Sequence, residues 1–286
     1  MRGATAHPVA EPDPGEGARR VRSSLILAPL ALFAVYFGTP VFETVLVLCC
    51  AILAWEWTGL CKVDRLFLIT GVMTAALGGA VVATSVLGAV PALGVVLVGA
   101  LAVLVVAIVD PQVSDARAER ALWLVSGTAY LGLAMVALTW LRLGLEDGRW
   151  VFLWLLAVVW IGDIGAYVVG RTFGGPRLAV SISPNKTWAG FFGAIAGATV
   201  VGAATVGLMR SHNAASLVAA SVALAMVAQV GDLAESWVKR RAGVKDASRL
   251  IPGHGGLLDR VDGLVVAAAA LALSIGLMGD VPTAWM

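Results

Sequence analysis

Long apolar runs alternate with short polar breaks along most of the chain. The runs cover roughly 23–39, 41–60, 66–88, 90–109, 121–141, 150–170, 188–209, 214–234 and 259–279. About 20 apolar residues are enough to cross a bilayer as a helix. The pattern therefore predicts an all-α polytopic integral membrane protein with about nine transmembrane helices. The first run is short, and Pro40 separates it from the second. Residues 1–22 have little apolar content and read as a disordered tail, which leaves 23–286 as one transmembrane domain. Arg19, Arg20 and Arg22 precede the first run, but no small-residue cleavage site follows Phe37. That run is therefore expected to stay as a span and not to act as a signal peptide. No internal repeat of fixed period is visible.

Composition sharpens this picture. The chain is 59% hydrophobic and only 13% charged, about half the charge of an ordinary soluble domain. A net charge of +2 gives no reason to expect a nucleic-acid partner. The placement of charge says more. With the N-terminus in the cytoplasm, 17 of the Lys and Arg residues fall in cytoplasmic segments. Only Arg142, Arg149 and Arg210 fall outside. That asymmetry follows the positive-inside rule and predicts a cytoplasmic N-terminus. Cys49, Cys50 and Cys61 show no metal or disulfide spacing and read as small hydrophobes.

One stretch departs from the apolar background. From Gln229 to Asp262, six cations (Lys239, Arg240, Arg241, Lys245, Arg249, Arg260) stand among Asp232, Glu235, Asp246, Asp259 and Asp262. Ionisable groups at such density in a membrane chain mark a site. Asp232, Glu235, Ser236 and Lys239 have the spacing of one helix face. Ala242 to Gly256 reads as loop, and Asp259 and Asp262 open a further helix on a shared face, where the dipole favours carboxylates. Two carboxylate groups at neighbouring helix ends suit hard divalent cations. Lys and Arg between them suit phosphates, and the bare Gly255–Gly256 backbone could approach one closely. Topology enforcement alone would explain the cations but not the five carboxylates.

Two further polar features lie upstream. Asp163 sits inside a span and needs a partner or a hydrated cavity, with Tyr167 and Arg171 on the following turns. Lys186 and Thr187 stand at a helix start, a setting that suits an anion, although the glycines of a Walker loop are missing. Glu56, between Trp55 and Trp57, reads as an interfacial residue, with no role assigned. His254 is the only histidine near the charged stretch, so a histidine-rich zinc centre is not expected.

The residues Ser236-x-x-Lys239-Arg240, Lys245-Asp246 and Pro252-x-His254-Gly255-Gly256-x-x-Asp259-Arg260-x-Asp262 resemble the signature of the phosphatidate cytidylyltransferases, also called CDP-diacylglycerol synthases. Ser183-Pro184-x-Lys186-Thr187-x-Ala189-Gly190 resembles a second element of that family, with Ala189 where an acidic residue is usual. Together the resemblance spans about Trp160 to Asp262, the expected catalytic part. It implies a multi-pass enzyme of the plasma membrane that joins CTP to phosphatidic acid on the cytoplasmic side and releases pyrophosphate. Magnesium is implied as cofactor, as one ion or two, with a monovalent cation as a further option. A homodimer is also implied.

On that reading Asp232 and Asp259 are the leading magnesium ligands, with Asp262, Asp246 and Asp163 as further ligands or their partners. Lys239, Arg240, Lys245 and Arg260 hold the triphosphate and the lipid phosphate. Ser236, Ser183, Lys186, Thr187, Gly255 and Gly256 position phosphate oxygens, and His254 contacts nucleotide or braces the loop. A phosphate monoester is largely ionised at neutral pH, so such a site needs cations more than it needs a base. Two other readings compete: a transporter, which would place polar groups at broken helices near the midplane, and a CTP-using polyprenol kinase.

Overall fold

The computed structural model describes residues 14–62, 66–109, 117–209, 213–251 and 255–278. Among them the chain forms nine α-helices: α1 Pro14–Phe37, α2 Val41–Leu60, α3 Leu66–Leu87, α4 Ala89–Val109, α5 Arg117–Thr139, α6 Gly148–Phe173, α7 Trp188–Met209, α8 Ala214–Arg241 and α9 Leu258–Met278. A π-helical turn, Trp140–Gly144, extends α5. Eight of the helices, α2 to α9, are long and apolar enough to span a membrane. The apolar part of α1 covers only Leu25–Phe37, so the first expected span is the short one. Helix α1 already begins at Pro14, inside the stretch expected to be a disordered tail; residues 1–13 lie outside the described residues.

Side-chain contacts sort the helix ends into two sets. Glu56 near the end of α2 binds the start of α9. Arg241 at the end of α8 pairs with Glu119 at the start of α5, and Lys186 before α7 pairs with Asp232 of α8. These ends therefore lie together. At the opposite end, buried Arg142 donates to the Val35 carbonyl of α1, and Ser85 of α3 donates to Glu43 of α2.

Small residues decide how closely the site-bearing helices approach. A Cβ on Gly165 would strike the carbonyl of Gly193, and one on Gly197 would lie 2.7 Å from the Ile161 carbonyl. Backbones of α6 and α7 thus touch where glycine leaves no side chain between them. Helices α8 and α9 do the same at Gly231, where a Cβ would lie 2.9 Å from the Asp262 carbonyl. Among the described residues, the paired strands form a hairpin between α6 and α7. Its strands β1 (Arg177–Ala179) and β2 (Ser183–Thr187) pair antiparallel, with Arg177 opposite Thr187 and Ala179 opposite Ser183.

Candidate active site

Helix α8 carries the site, with a different group of partners on each side of it. On the first side, Lys186 Nζ at the end of β2 lies 2.6 Å from Asp232 Oδ2 and 3.3 Å from Gln229 Oε1, to which it donates. The Gln229 amide in turn donates to Asp163 Oδ1 of α6 at 3.3 Å. Ser236 Oγ donates to Asp232 Oδ1 at 3.4 Å. The close approach at Gly231 sets Asp262 of α9 beside this group, and the charges of Asp163, Asp232 and Asp262 act on one another. Arg260 also bears on Asp163. Asp232 keeps a third of its side chain open, and Asp163 is exposed. The contacts here, Lys186–Asp232 excepted, are long.

On the second side everything is short and closed. Lys239 Nζ lies 2.5 Å from Glu235 Oε2 and 2.6 Å from Asp259 Oδ1. The three side chains are 12%, 1% and 5% exposed. Asp259 also accepts from the backbone amides of Ala247 (3.0 Å) and Gly256 (2.7 Å). Below it, Glu56 reaches up from α2. Its Oε1 accepts from Ser248 Oγ (2.7 Å) and the Leu257 amide (2.8 Å), and its Oε2 from the Leu258 amide (2.7 Å). The amides of residues 256, 257 and 258 would be unpaired donors at a helix start. Here two carboxylates take all three, in a geometry that suits the helix dipole.

Asp232, Lys186, Asp163, Asp262 and Ser236 gather on the open side; Lys239 and Asp259 lie on the closed side. Asp259, expected as a leading metal ligand, has both oxygens engaged by protein donors and orders the loop. Gly256, expected to offer its amide to phosphate, gives that amide to Asp259, and a Cβ there would strike the Glu56 carboxylate. Gly255 adopts φ +82°, and a Cβ there would meet Asp259 Oδ2 at 2.6 Å. Arg240 donates to the carbonyls of Ile182 and Val244, tying the hairpin to the loop. Lys245 and Asp246 are exposed on that loop, and Ser183 is half-buried on β2. Thr187 is buried and accepts from the Gly190 amide at 3.1 Å, capping α7. His254 lies outside the described residues, as do Pro252 and Gly253.

The model of the cytidylyltransferase family matches residues 18–278. The chain belongs to the cytidylyltransferase family. A phosphatidate cytidylyltransferase from Brucella suis is 47% identical over 164 residues, covering 57% of this chain and 61% of that protein. One from Haemophilus influenzae is 41% identical over 139 residues, 44% of this chain and 48% of that protein. One from Staphylococcus epidermidis is 41% identical over 135 residues, 47% of this chain and 51% of that protein. The matched stretch thus spans about three fifths or less of these relatives' own length.

Within this family member, three residues of the site carry no assignment from sequence. Glu56 is the clearest: expected at the membrane interface, it is 1% exposed. A buried carboxylate must find donors, and the start of α9 supplies them. Gln229 uses both ends of its amide to join Lys186 to Asp163. Glu235, grouped with Asp232 by its spacing, pairs instead with Lys239 on the second side. For Glu56 the signal is a charged residue in an apolar run, which has to be paired.

Proposed function

We propose that the chain transfers a cytidylyl group from CTP to phosphatidic acid, giving CDP-diacylglycerol and pyrophosphate. A phosphate oxygen of phosphatidate forms a new bond to the α-phosphorus of CTP. The bond from that phosphorus to the oxygen bridging to the β-phosphate breaks, and pyrophosphate leaves with the electron pair. The observation that carries this reading is the open group around Asp232. It brings β2, α6, α8 and α9 to one end of the bundle and leaves a lysine and three carboxylates within electrostatic reach. The family membership and the named relatives support the same chemistry.

Two phosphate groups repel, so the work of the site is to gather positive charge. Lys186, released from Asp232 by an incoming anion, would hold a phosphate oxygen with Ser236 beside it. Arg260, Arg240 and Lys245 would add cations around the loop, while Lys239 stays committed to Glu235 and Asp259. Ser183 from the hairpin and Gly255 from the loop would add phosphate contacts, while Thr187 caps α7. The donors available near Asp232 are hard carboxylate oxygens, which fit magnesium. Among the described residues no three acidic, His or Cys side chains form a closed cage. Magnesium commonly takes one or two carboxylates and completes its shell with water and substrate phosphate. Asp232 and Asp262, with Asp163 beside them, would hold it; once bound, it would neutralise phosphate charge during transfer.

The basic residues among those described crowd at this end, and Arg142 and Arg149 lie at the other. The positive-inside rule then supports an active site on the cytoplasmic face of the plasma membrane. The test is an assay of the detergent-solubilised full chain. CDP-diacylglycerol should form from CTP and phosphatidic acid only with magnesium, and chelation should stop it. Absence of that product from folded protein, or solute flux in liposomes instead, overturns the reading.

A further inference from the structure

A cavity of about 200 Å³ lies apart from the Asp232 group, between the neighbouring ends of α2, α5 and α8. Trp57 and Trp123 form its walls, and Lys62, Arg120 and Arg241 line it together with Glu119. We propose that this cavity holds the phosphate of an anionic phospholipid headgroup.

The charge balance comes first. Glu119 is already paired with Arg241 at 2.7 Å. Among the described residues, Lys62 and Arg120 make no ion pair, so two cations of the lining have no carboxylate partner among them. The walls are also fixed in advance. The Trp57 indole donates to the Trp123 carbonyl at 2.9 Å and packs over Gly127, where a Cβ would strike the ring. The Arg241 guanidinium sits 5.3 Å from the Trp123 ring and 6.0 Å from that of Trp237. Contact with both indoles, whose rings lie 5.6 Å apart, limits the freedom of Arg241 and presents its charge at a set place.

Location selects the source of the phosphate. The cavity opens where membrane helices end, at the depth that tryptophan and basic side chains share with lipid headgroups. Leu60 and Val238 give it an apolar floor, which suits the glycerol carbons next to a lipid phosphate better than a free, fully hydrated anion. Its neighbours in sequence give the occupant a consequence. Trp57 follows Glu56, which holds the Leu257 and Leu258 amides. Val238 precedes Lys239, which holds Asp259. A lipid bridging α2 and α8 here steadies both residues that fix the signature loop.

The experiment uses full-length protein stripped of lipid in detergent and offered phosphatidylglycerol or phosphatidylcholine. Bound lipid is read by mass spectrometry of the intact protein. Phosphatidylglycerol carries a phosphodiester and cannot act as the nucleophile, and CTP is left out, so the result does not depend on the proposed transfer activity. The wild type should retain phosphatidylglycerol over phosphatidylcholine. The double variant Lys62→Ala/Arg120→Ala should lose that preference by on the order of tenfold, as expected for two interfacial cations. Its thermal stability in phosphatidylcholine should be unchanged, which separates loss of the site from loss of the fold. Equal retention of phosphatidylglycerol by variant and wild type would overturn the proposal. Displacement of the bound lipid by millimolar inorganic phosphate would overturn it too, since the cavity would then select a free anion.

Discussion

The two sides of α8 use the same residue types to opposite ends. Around Asp232, one ion pair of 2.6 Å to Lys186 is joined by hydrogen bonds of 3.3 to 3.4 Å, and Asp232 itself keeps a third of its side chain open. Around Asp259, contacts of 2.5 to 2.7 Å close on buried side chains, and both Asp259 oxygens have protein donors. A carboxylate saturated by the protein orders the chain. One held loosely can exchange its partner for a ligand. On the proposed function, the closed side would build the loop and the open side would do its chemistry.

The largest effect that would test this contrast is expected at Lys239. Replacing it with Met leaves Glu235 and Asp259 facing each other without their shared cation. Removing one partner of a buried ion pair costs about 3–5 kcal/mol. Lys239→Met should therefore lower the thermal stability of the detergent-solubilised protein and remove turnover together. Asp259→Asn should follow it in kind, since the amide cannot accept from Lys239 and two backbone amides as a carboxylate does. A Lys239→Met protein as stable as wild type would dissolve the contrast.

Next comes Asp232. Asp232→Asn should cut CTP-dependent turnover by about 10²–10³, the range for losing one well-placed electrostatic contact to a transition state. Its folding should be untouched, because Asp232 is a third open and its remaining contact beyond Lys186 is a long one to Ser236. Matched thermal melts and initial rates for Asp232→Asn and Asp259→Asn give the sharpest single comparison. Both variants should lose activity; only the second should lose stability.

Sequence made one half of this legible. Apolar runs have a length that only a bilayer demands, so helices α2 to α9 could be read off within a few residues. Charge in such a background also stands out, so the residues from Asp232 to Asp262 are legible as a cluster in the sequence itself. What sequence could not divide was Asp232 from Asp259. Each is an acid near a lysine, and the difference lies in backbone amides that fold back onto Asp259 from Ala247 and Gly256. The hairpin at Arg177–Thr187 was hidden for a similar reason: five residues of β2 containing Ser183, Pro184 and Asn185 have no strand-like alternation. Helix α1 begins inside the expected tail, whose polar composition gave no sign of it.

Glu56 was hidden most deeply, and it offers the smallest and most diagnostic effect. Its donors, Leu257 and Leu258, lie about 200 residues away in the chain, and no local pattern links them. Glu56→Gln retains one oxygen, able to accept from Ser248 and the Leu257 amide. It then sets an amide NH₂ against the Leu258 N–H, where two donors meet. The loss is one hydrogen bond to a charged group, about 1.5–3 kcal/mol, in a segment that contacts no substrate on the present assignment. The expected outcome is a lower kcat with KM for CTP near wild type, because fewer molecules hold the loop in order while those that do bind normally. Hydrogen exchange at residues 256–258 should rise in parallel. A variant with faster exchange and unchanged kcat would mean that α9 can fray without disturbing the chemistry, and the closed side would then brace the fold and not the reaction.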